Sequence, residues 1–246
     1  MDAVGARPGR PAAQAPRAAA AARVAADRAV TGPAALGRVD RLLLLGAHCD
    51  DIAIGCGGTV LQLCRANPGM RVTALVLSGA GTDREAEERM ALAALCAKAE
   101  LDVTVLDLLD GRVPAQWLRA KEALEAVRPW CEPDLILAPS PHDAHQDHRA
   151  LAKLVPTVFR AHQALGYEIL KWDGDLAQPN LYVALPEQVL ADKLDILHRH
   201  YGSQRGRTWF DDEAFRGLAR VRGVQSGERY AEAFHAAKVT LRVGAS

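Results

Sequence analysis

His48, Asp50 and Asp51 stand in the stretch AHCDD, one glycine after four consecutive leucines. An imidazole and two adjacent carboxylates are costly to bury unless paired or bound to a metal. Two unpaired aspartates side by side would also resist ionising together. A second concentration follows in APSPHDAHQDHRA, where His142, Asp143, His145, Asp147 and His148 crowd together. Two imidazoles and one carboxylate around an open coordination position make the usual catalytic zinc arrangement. Consecutive aspartates on a turn point in different directions, so one can bind metal while the other acts as general base on a water. By the same logic one of His145 and His148 is a ligand and the other faces substrate. Asp147 between them is placed to orient an imidazole from behind.

Such side chains must be delivered by buried elements. DRLLLLGAH is a short apolar run that predicts a strand buried on both faces. GCGGTVLQLCRANPG predicts a helix begun in a glycine-rich turn and stopped at Asn67-Pro68-Gly69. RVTALVLSG is a second strand, TDREAEERMALAALCAKAE a helix capped by Thr82 or Asp83, and LDVTVLDLLD a third strand. PAQWLRAKEALEAVRPW is a helix that Pro129 ends, PDLILAPS a fourth strand, and DHRALAKLVPTVFRAHQAL a helix with Pro156 as a kink point. Alternation of this kind predicts an α/β fold: a Rossmann-like, mostly parallel sheet with helices on both faces. Ligands bind beyond the carboxyl ends of such strands, which is where both clusters fall. After residue 165, YEILKW and NLYVAL predict short strands and PEQVLADKLDILHRHYGS a helix. RYAEAFHAAKVTL predicts a helix leading into a final strand or tail.

The 30 basic and 30 acidic side chains balance, so the electrostatic signature of a nucleic-acid binder is missing. No apolar run approaches the roughly 20 residues that span a bilayer, which argues against stable membrane insertion. The five cysteines lack CxxC spacing, and a reduced, cytoplasmic protein is the simplest expectation. Residues 1–37, rich in Ala, Pro and Arg, predict a flexible or weakly helical extension, and the folded domain is expected over 38–246. An NAD-dependent oxidoreductase would need a dinucleotide fingerprint after the first strand, and GAHCDD is not one.

AHCDDIAIGCGGT together with HQDH resembles the PIG-L/LmbE-like deacetylase family, whose members carry AHPDD, often continuing as DDxEIGCGGT, and a later HxDH. RYAEAF is similar to the family as well. The resemblance implies metal ligation by His48, Asp51 and His148, with Asp50 as general base. It implies that His145 stabilises the oxyanion or protonates the leaving amine, oriented by Asp147. The implied cofactor is Zn2+, or another divalent metal in its place. The implied reaction is hydrolysis of an N-acyl, chiefly N-acetyl, amide on an amino sugar or sugar conjugate. Cys49 replaces the usual proline, as a small residue or as an extra thiol donor, and Ala53 stands where many members carry Glu.

Two other readings stay open: an amidase acting on a larger amide conjugate, and a non-catalytic sugar- or nucleotide-binding protein of the same fold. Arg84 and Trp172 are candidate substrate contacts, and Trp209 is a further candidate pocket wall. His142 and Asp143 are expected as solvated loop residues, and His198 and His200 on a helix surface. The glycines of GCGGT are expected to permit close packing behind the metal loop. The expected partner is a small amino-sugar molecule, with homo-oligomerisation left open.

Overall fold

A computed structural model describes Met1 and residues 36–240. The chain divides into two units, Met1–Gly37 and Arg38–Ser246, and the fold is that of the second. The expected N-terminal extension lies almost wholly outside the described residues.

The strands are β1 (Arg41–Gly46), β2 (Arg71–Val76), β3 (Glu100–Val105), β4 (Leu135–Pro139), β5 (Ala164–Tyr167), β6 (Leu181–Ala184) and β7 (Ala231–His235). They form one sheet in the order β3-β2-β1-β4-β5-β7-β6. β3 through β5 run parallel, while β7 pairs antiparallel with both β5 and β6. The helices are α1 (Asp51–Ala66), α2 (Asp83–Leu95), α3 (Trp117–Cys131), α4 (Gln146–Val158), α5 (Glu187–His200) and α6 (Asp212–Ser226).

The leucine run explains the layering. Leu42 and Leu44 enter a core shared with α1, α2, α5 and α6, whereas Leu43 and Leu45 enter the opposite core under α3 and α4. Side chains alternate across a strand, so a central parallel strand needs apolar residues at every position. All four are fully buried. At roughly 1.5–3 kcal/mol for each fully buried apolar side chain, β1 anchors both layers. Because β1 and β4 are neighbours, their carboxyl ends open side by side. That adjacency brings the two ligand-rich loops together. Among the described residues no helix is long and apolar enough to cross a membrane.

Several local expectations need correction. Pro129 lies inside α3, which continues to Cys131. α4 stops at Val158, so that 164–167 can join the sheet as β5. AEAFH, whose Ala and Glu content suits a helix, is β7, because pairing with two strands overrides a weak propensity. α6 has no counterpart among the expected elements. Its Gly223 sits where a Cβ would lie 2.5 Å from the Arg229 carbonyl oxygen, so a glycine that weakens the helical pattern is needed for packing.

Candidate metal centre

The turn after β1 carries His48, Cys49 and Asp50 into α1. Asp51 Oδ2 accepts the backbone N–H groups of Ala47 and His48, both at 2.9 Å, closing this turn on itself. Asp50 has φ 109° and ψ −25°, a left-handed conformation. A residue with a Cβ adopts such a backbone only at a cost of about 1–3 kcal/mol. Three contacts hold it there. The backbone N–H of Asp50 donates to Glu88 Oε2 at 2.8 Å, Arg84 Nη2 reaches Asp50 Oδ2 at 3.0 Å, and the same guanidinium donates to the carbonyl of Cys49.

α1 is broken behind this turn, at Cys56 (φ −140°, ψ 17°). Its second half therefore needs a cap of its own. Glu232 of β7 supplies one, accepting from Gly58 N (2.9 Å), Thr59 N (2.7 Å) and Thr59 Oγ1 (2.6 Å). Lys193 neutralises Glu232 at 2.7 Å and donates to the carbonyl of Ile54. Both members of the buried pair thus have further hydrogen-bond partners, the condition under which buried charge is tolerated. Gly55 meets the expectation of close packing: a Cβ there would lie 2.2 Å from the Tyr167 ring, whose hydroxyl donates to Leu45 O at 2.6 Å.

From the other side, His145 caps α4 and His148 lies in its first turn. His48 Nδ1 and His148 Nε2 stand 3.1 Å apart, His148 Nε2 is 3.2 Å from Asp51 Oδ1, and His48 Nδ1 is 3.6 Å from Asp51 Oδ2. The opposite ring nitrogens both face carboxylates. His48 Nε2 faces Asp147 Oδ2 at 3.2 Å and Asp110 Oδ1 at 3.1 Å, and His148 Nδ1 faces Asp143 Oδ1 at 3.0 Å. If each outer nitrogen carries the proton, two lone pairs and a carboxylate converge on one point. Such an arrangement repels itself unless a cation occupies the centre, and imidazoles backed by carboxylates are the common outer shell of a metal site. Donors about 3.4 Å apart are what a tetrahedral ion with bonds of about 2.1 Å requires. The donor set therefore fits a metal. His145 also comes within reach, since one ligand atom each from His48, His145 and His148 lie within 4.8 Å of one another, as do those of His48, Asp110 and Asp147.

The protonation preferences agree with a site that attracts positive charge. Burial opposes protonation of His48, but Asp51, with Asp110 and Asp147, outweighs it and pushes the imidazole up to about 12. Burial likewise opposes protonation of His148, yet Asp51 and Asp143 raise it to about 9. Burial disfavours the Asp51 carboxylate, but the two imidazoles beside it hold it well below the ordinary value. Asp50 goes the other way: burial pushes it up to about 7 against the pull of Arg84, with Asp51 adding to the rise. Two adjacent carboxylates are thus driven apart in proton affinity, the pattern that separates a ligand from a base.

Asp147 reaches two imidazoles, His48 through its carboxylate and His145 through its backbone. Its carboxylate, fully buried, holds His48 and accepts from the N–H groups of Gly111 (2.7 Å) and Val113 (3.1 Å), while its own N–H donates to His145 Nδ1 at 3.3 Å. His145 is held below its ordinary value by burial and by the neighbouring His148 and His48, so it is neutral near pH 7 with its proton on Nε2. Asp143 is not solvated but buried, bridging His148 to Lys171 Nζ at 3.1 Å. His142 is exposed, stacked edge-on against His235. His198 lies partly exposed on α5, paired with Asp212 at 2.6 Å.

Cys49 Sγ points away from the centre toward Ser78 O at 3.5 Å, and burial pushes its thiol up to about 12, so it is a packing residue rather than a donor. Gly79 makes room for it, with φ +121° and a Cβ position 2.5 Å from that sulfur. Trp172 is 66% exposed, with the Arg207 guanidinium 5.4 Å over its ring and Trp209 edge-on at 6.3 Å. Asp110, Lys171, Glu88 and Glu232 join the site without having been singled out from the sequence. Asp110 follows the third strand at its carboxyl end and was findable by the rule that located the others.

Fold and site together define an α/β protein with a metal-type centre at the carboxyl ends of two adjacent parallel strands. The PIG-L family model, described as GlcNAc-PI de-N-acetylase, matches residues 43–159, a span that contains both ligand-bearing loops. An uncharacterized deacetylase of Escherichia coli, YaiS, is 31% identical over 172 residues, covering 65% of this chain and 89% of that protein. The chain belongs to the PIG-L family of deacetylases. Among solved structures, the N,N'-diacetylchitobiose deacetylase of Pyrococcus horikoshii superposes with a TM-score of 0.62 at 20% identity, covering 80% of this chain and 83% of that one. GalB, the 4-carboxy-2-hydroxymuconate hydratase of Pseudomonas putida, superposes with a TM-score of 0.63 at 16% identity, covering 84% of this chain and 100% of that one. The fold is thus shared by a protein whose chemistry is hydration, and the reaction must be argued from the site.

Proposed function

We propose that this chain is a zinc-dependent N-deacetylase that hydrolyses the N-acetyl amide of an amino sugar or sugar conjugate. The observation that carries the reading is the convergence of His48 Nδ1, His148 Nε2 and Asp51 within 3.1–3.6 Å, with the outer nitrogens backed by carboxylates. These three residues would hold the ion. Zinc bound there supplies Lewis-acid polarisation of the amide carbonyl and makes a water easier to deprotonate.

Asp50 takes the proton of the attacking water and passes it to the departing nitrogen. Burial raises its proton affinity above the ordinary carboxylate range, which suits a group that must both accept and return a proton. Arg84 anchors Oδ2 of this carboxylate, which leaves Oδ1 for the water. His145, whose Nδ1 accepts from the Asp147 N–H, presents Nε2–H to the developing oxyanion as a neutral donor. Asp147 and Asp143 keep His48 and His148 in the tautomers that ligate.

Arg84 and Trp172 are the proposed substrate contacts. Trp172 offers an exposed indole face of the kind on which a sugar ring stacks. A cytoplasmic site of action is supported by five free, buried cysteines.

The test is acetate release by zinc-loaded protein from a panel of free, nucleotide-linked and inositol-linked N-acetyl amino sugars, with Asp50→Asn as the blank. Release that depends on Asp50 is expected. A metal-loaded protein that releases no acetate from any of them overturns the N-acetyl assignment and turns the search to larger amide conjugates.

A further inference from the structure

Glu88 is the one fully buried carboxylate near the centre, among the described residues, that the reaction above does not use. It lies on α2, and its contacts are unusual for an acid. Oε2 accepts two hydrogen bonds, from the Asp50 N–H at 2.8 Å and from the Tyr201 hydroxyl at 2.6 Å, while Oε1 has no partner among the described residues. No arginine, lysine or histidine is paired with it among the described residues. An unpaired buried carboxyl costs stability, and residues that incur such a cost cluster where function demands it.

What Glu88 touches is the backbone of the proposed base. At φ 109° the N–H of Asp50 points into the protein and away from the turn hydrogen bonds made by its neighbours. A strained residue persists only when its surroundings over-determine it. Arg84 fixes the side chain of Asp50 and the preceding carbonyl, and Ile54 N donates to the Asp50 carbonyl at 2.9 Å, but the Asp50 N–H is satisfied by Glu88. Tyr201, at the end of α5, fixes Glu88 in turn, and Ser203 ties the same loop to Glu87 at 2.6 Å and 2.7 Å.

We propose that Glu88 is a positioning residue for the deacetylation step, its Oε2 locking the left-handed backbone of Asp50 so that the base carboxylate faces the water beside the metal. This inference rests on the reading of Asp50 as the base. Glu88 touches neither the metal ligands' donor atoms nor the substrate, and it acts through Asp50. A neutral carboxyl performs the role as well as an ion, because only an acceptor is needed. Burial, which the Tyr201 and Asp50 donors only partly offset, pushes Glu88 up to about 8, in keeping with that.

Two variants separate this role from simple packing. Glu88→Leu fills the same space and removes the acceptor, whereas Glu88→Gln keeps an acceptor oxygen and removes the charge. The expectation is a fall in kcat of about 100-fold for Glu88→Leu, the scale of a small misplacement of a reacting group, with KM and bound zinc within about 2-fold of the parent. Glu88→Gln should restore kcat to within about 3-fold. Full activity in Glu88→Leu overturns the proposal, as does a Glu88→Gln enzyme as impaired as Glu88→Leu, or zinc lost along with activity. The crystal structure of Glu88→Leu gives a readout independent of any substrate. Asp50 should leave positive φ there and keep it in Glu88→Gln, and an Asp50 unmoved in Glu88→Leu sinks the idea even if the deacetylase assignment itself proves wrong.

Discussion

Of the two loops that build the centre, the first brings His48, Asp50 and Asp51 and the second His145 and His148, and they are held in different ways. The loop after β1 contains a left-handed Asp50 and depends on partners far along the chain: Arg84 and Glu88 from α2, with Tyr201 behind them. The loop before α4 has no positive-φ residue, and Lys171 and Asp175 hold it at Asp143 Oδ1 and at the Ala144 N–H. The Asp143 carboxylate accepts from His145 N at 2.7 Å, and His145 and His148 ride on an intact helix start. Both sides are braced from outside, but one holds a left-handed residue and the other is relaxed. Regular structure delivers the proposed ligands at little cost, and the strain is concentrated at the proposed base.

The comparison is broken most severely at the ligands. His48→Ala and His148→Ala should each lose stoichiometric zinc after dialysis and fall to background activity, measured by metal analysis and acetate release on the same samples. If the centre is one shared site, the losses are alike in spite of the different loops. Retained zinc in either variant would mean that His145, which also reaches the cluster, substitutes for the missing ligand.

One step down in effect are the carboxylates behind the imidazoles. Asp147→Ala and Asp143→Ala should weaken zinc by about 10–100-fold, the range for outer-shell partners of metal-bound histidines, as read by competition with a chelator. Asp147 should be the more damaging of the two. It is fully buried and also holds Gly111 and Val113, whereas Lys171 can turn to Asp175, already 2.5 Å away, when Asp143 is removed. Equal losses would show that the outer hydrogen bonds act only on their own histidine.

How much of this was legible in the sequence follows the same division. β1 and β4 were readable because buried parallel strands demand continuous apolar runs, and the cluster was readable because an imidazole and two carboxylates at the end of a leucine run are costly to bury unpaired. The bracing residues were not. Glu88 sits in REAEER, which looks like a solvated helix face until packing buries one of its acids. Glu232 stands in RYAEAF, whose composition suits a helix, and only the pairing of β7 with β5 and β6 turns its carboxylate toward α1. Lys171 meets Asp143 through a loop whose path no local pattern sets. Long-range partners of this kind carry no periodicity of their own.

The smallest effect concerns stability and separates the loops by sign. Burial raises Glu88 from its ordinary 4.5 to about 8, opposed by its hydrogen bonds from Tyr201 and the Asp50 N–H and reinforced by the charges of Asp50 and Asp51. The folded protein therefore holds a proton that the unfolded chain releases. This group's contribution is most favourable below its unfolded value, and it declines as pH rises toward the folded one. Asp143 and Asp147 are lowered instead: burial opposes their ionisation, but hydrogen bonds to His148 and His48 outweigh it, so their contribution is present at neutral pH and is lost only in acid. Replacing Glu88 with Gln removes the first dependence and leaves the second. In urea unfolding of the metal-free protein, Glu88→Gln should gain on the parent between about pH 5 and about pH 8, by up to a few kcal/mol at about 1.4 kcal/mol for each tenfold change in proton affinity. The two should keep a constant difference below about pH 4, where Glu88 is protonated in the folded and the unfolded parent alike. Parallel stability curves across the whole range would mean that Glu88 ionises normally inside the fold. The brace on Asp50 would then be a charged carboxylate rather than a neutral acceptor.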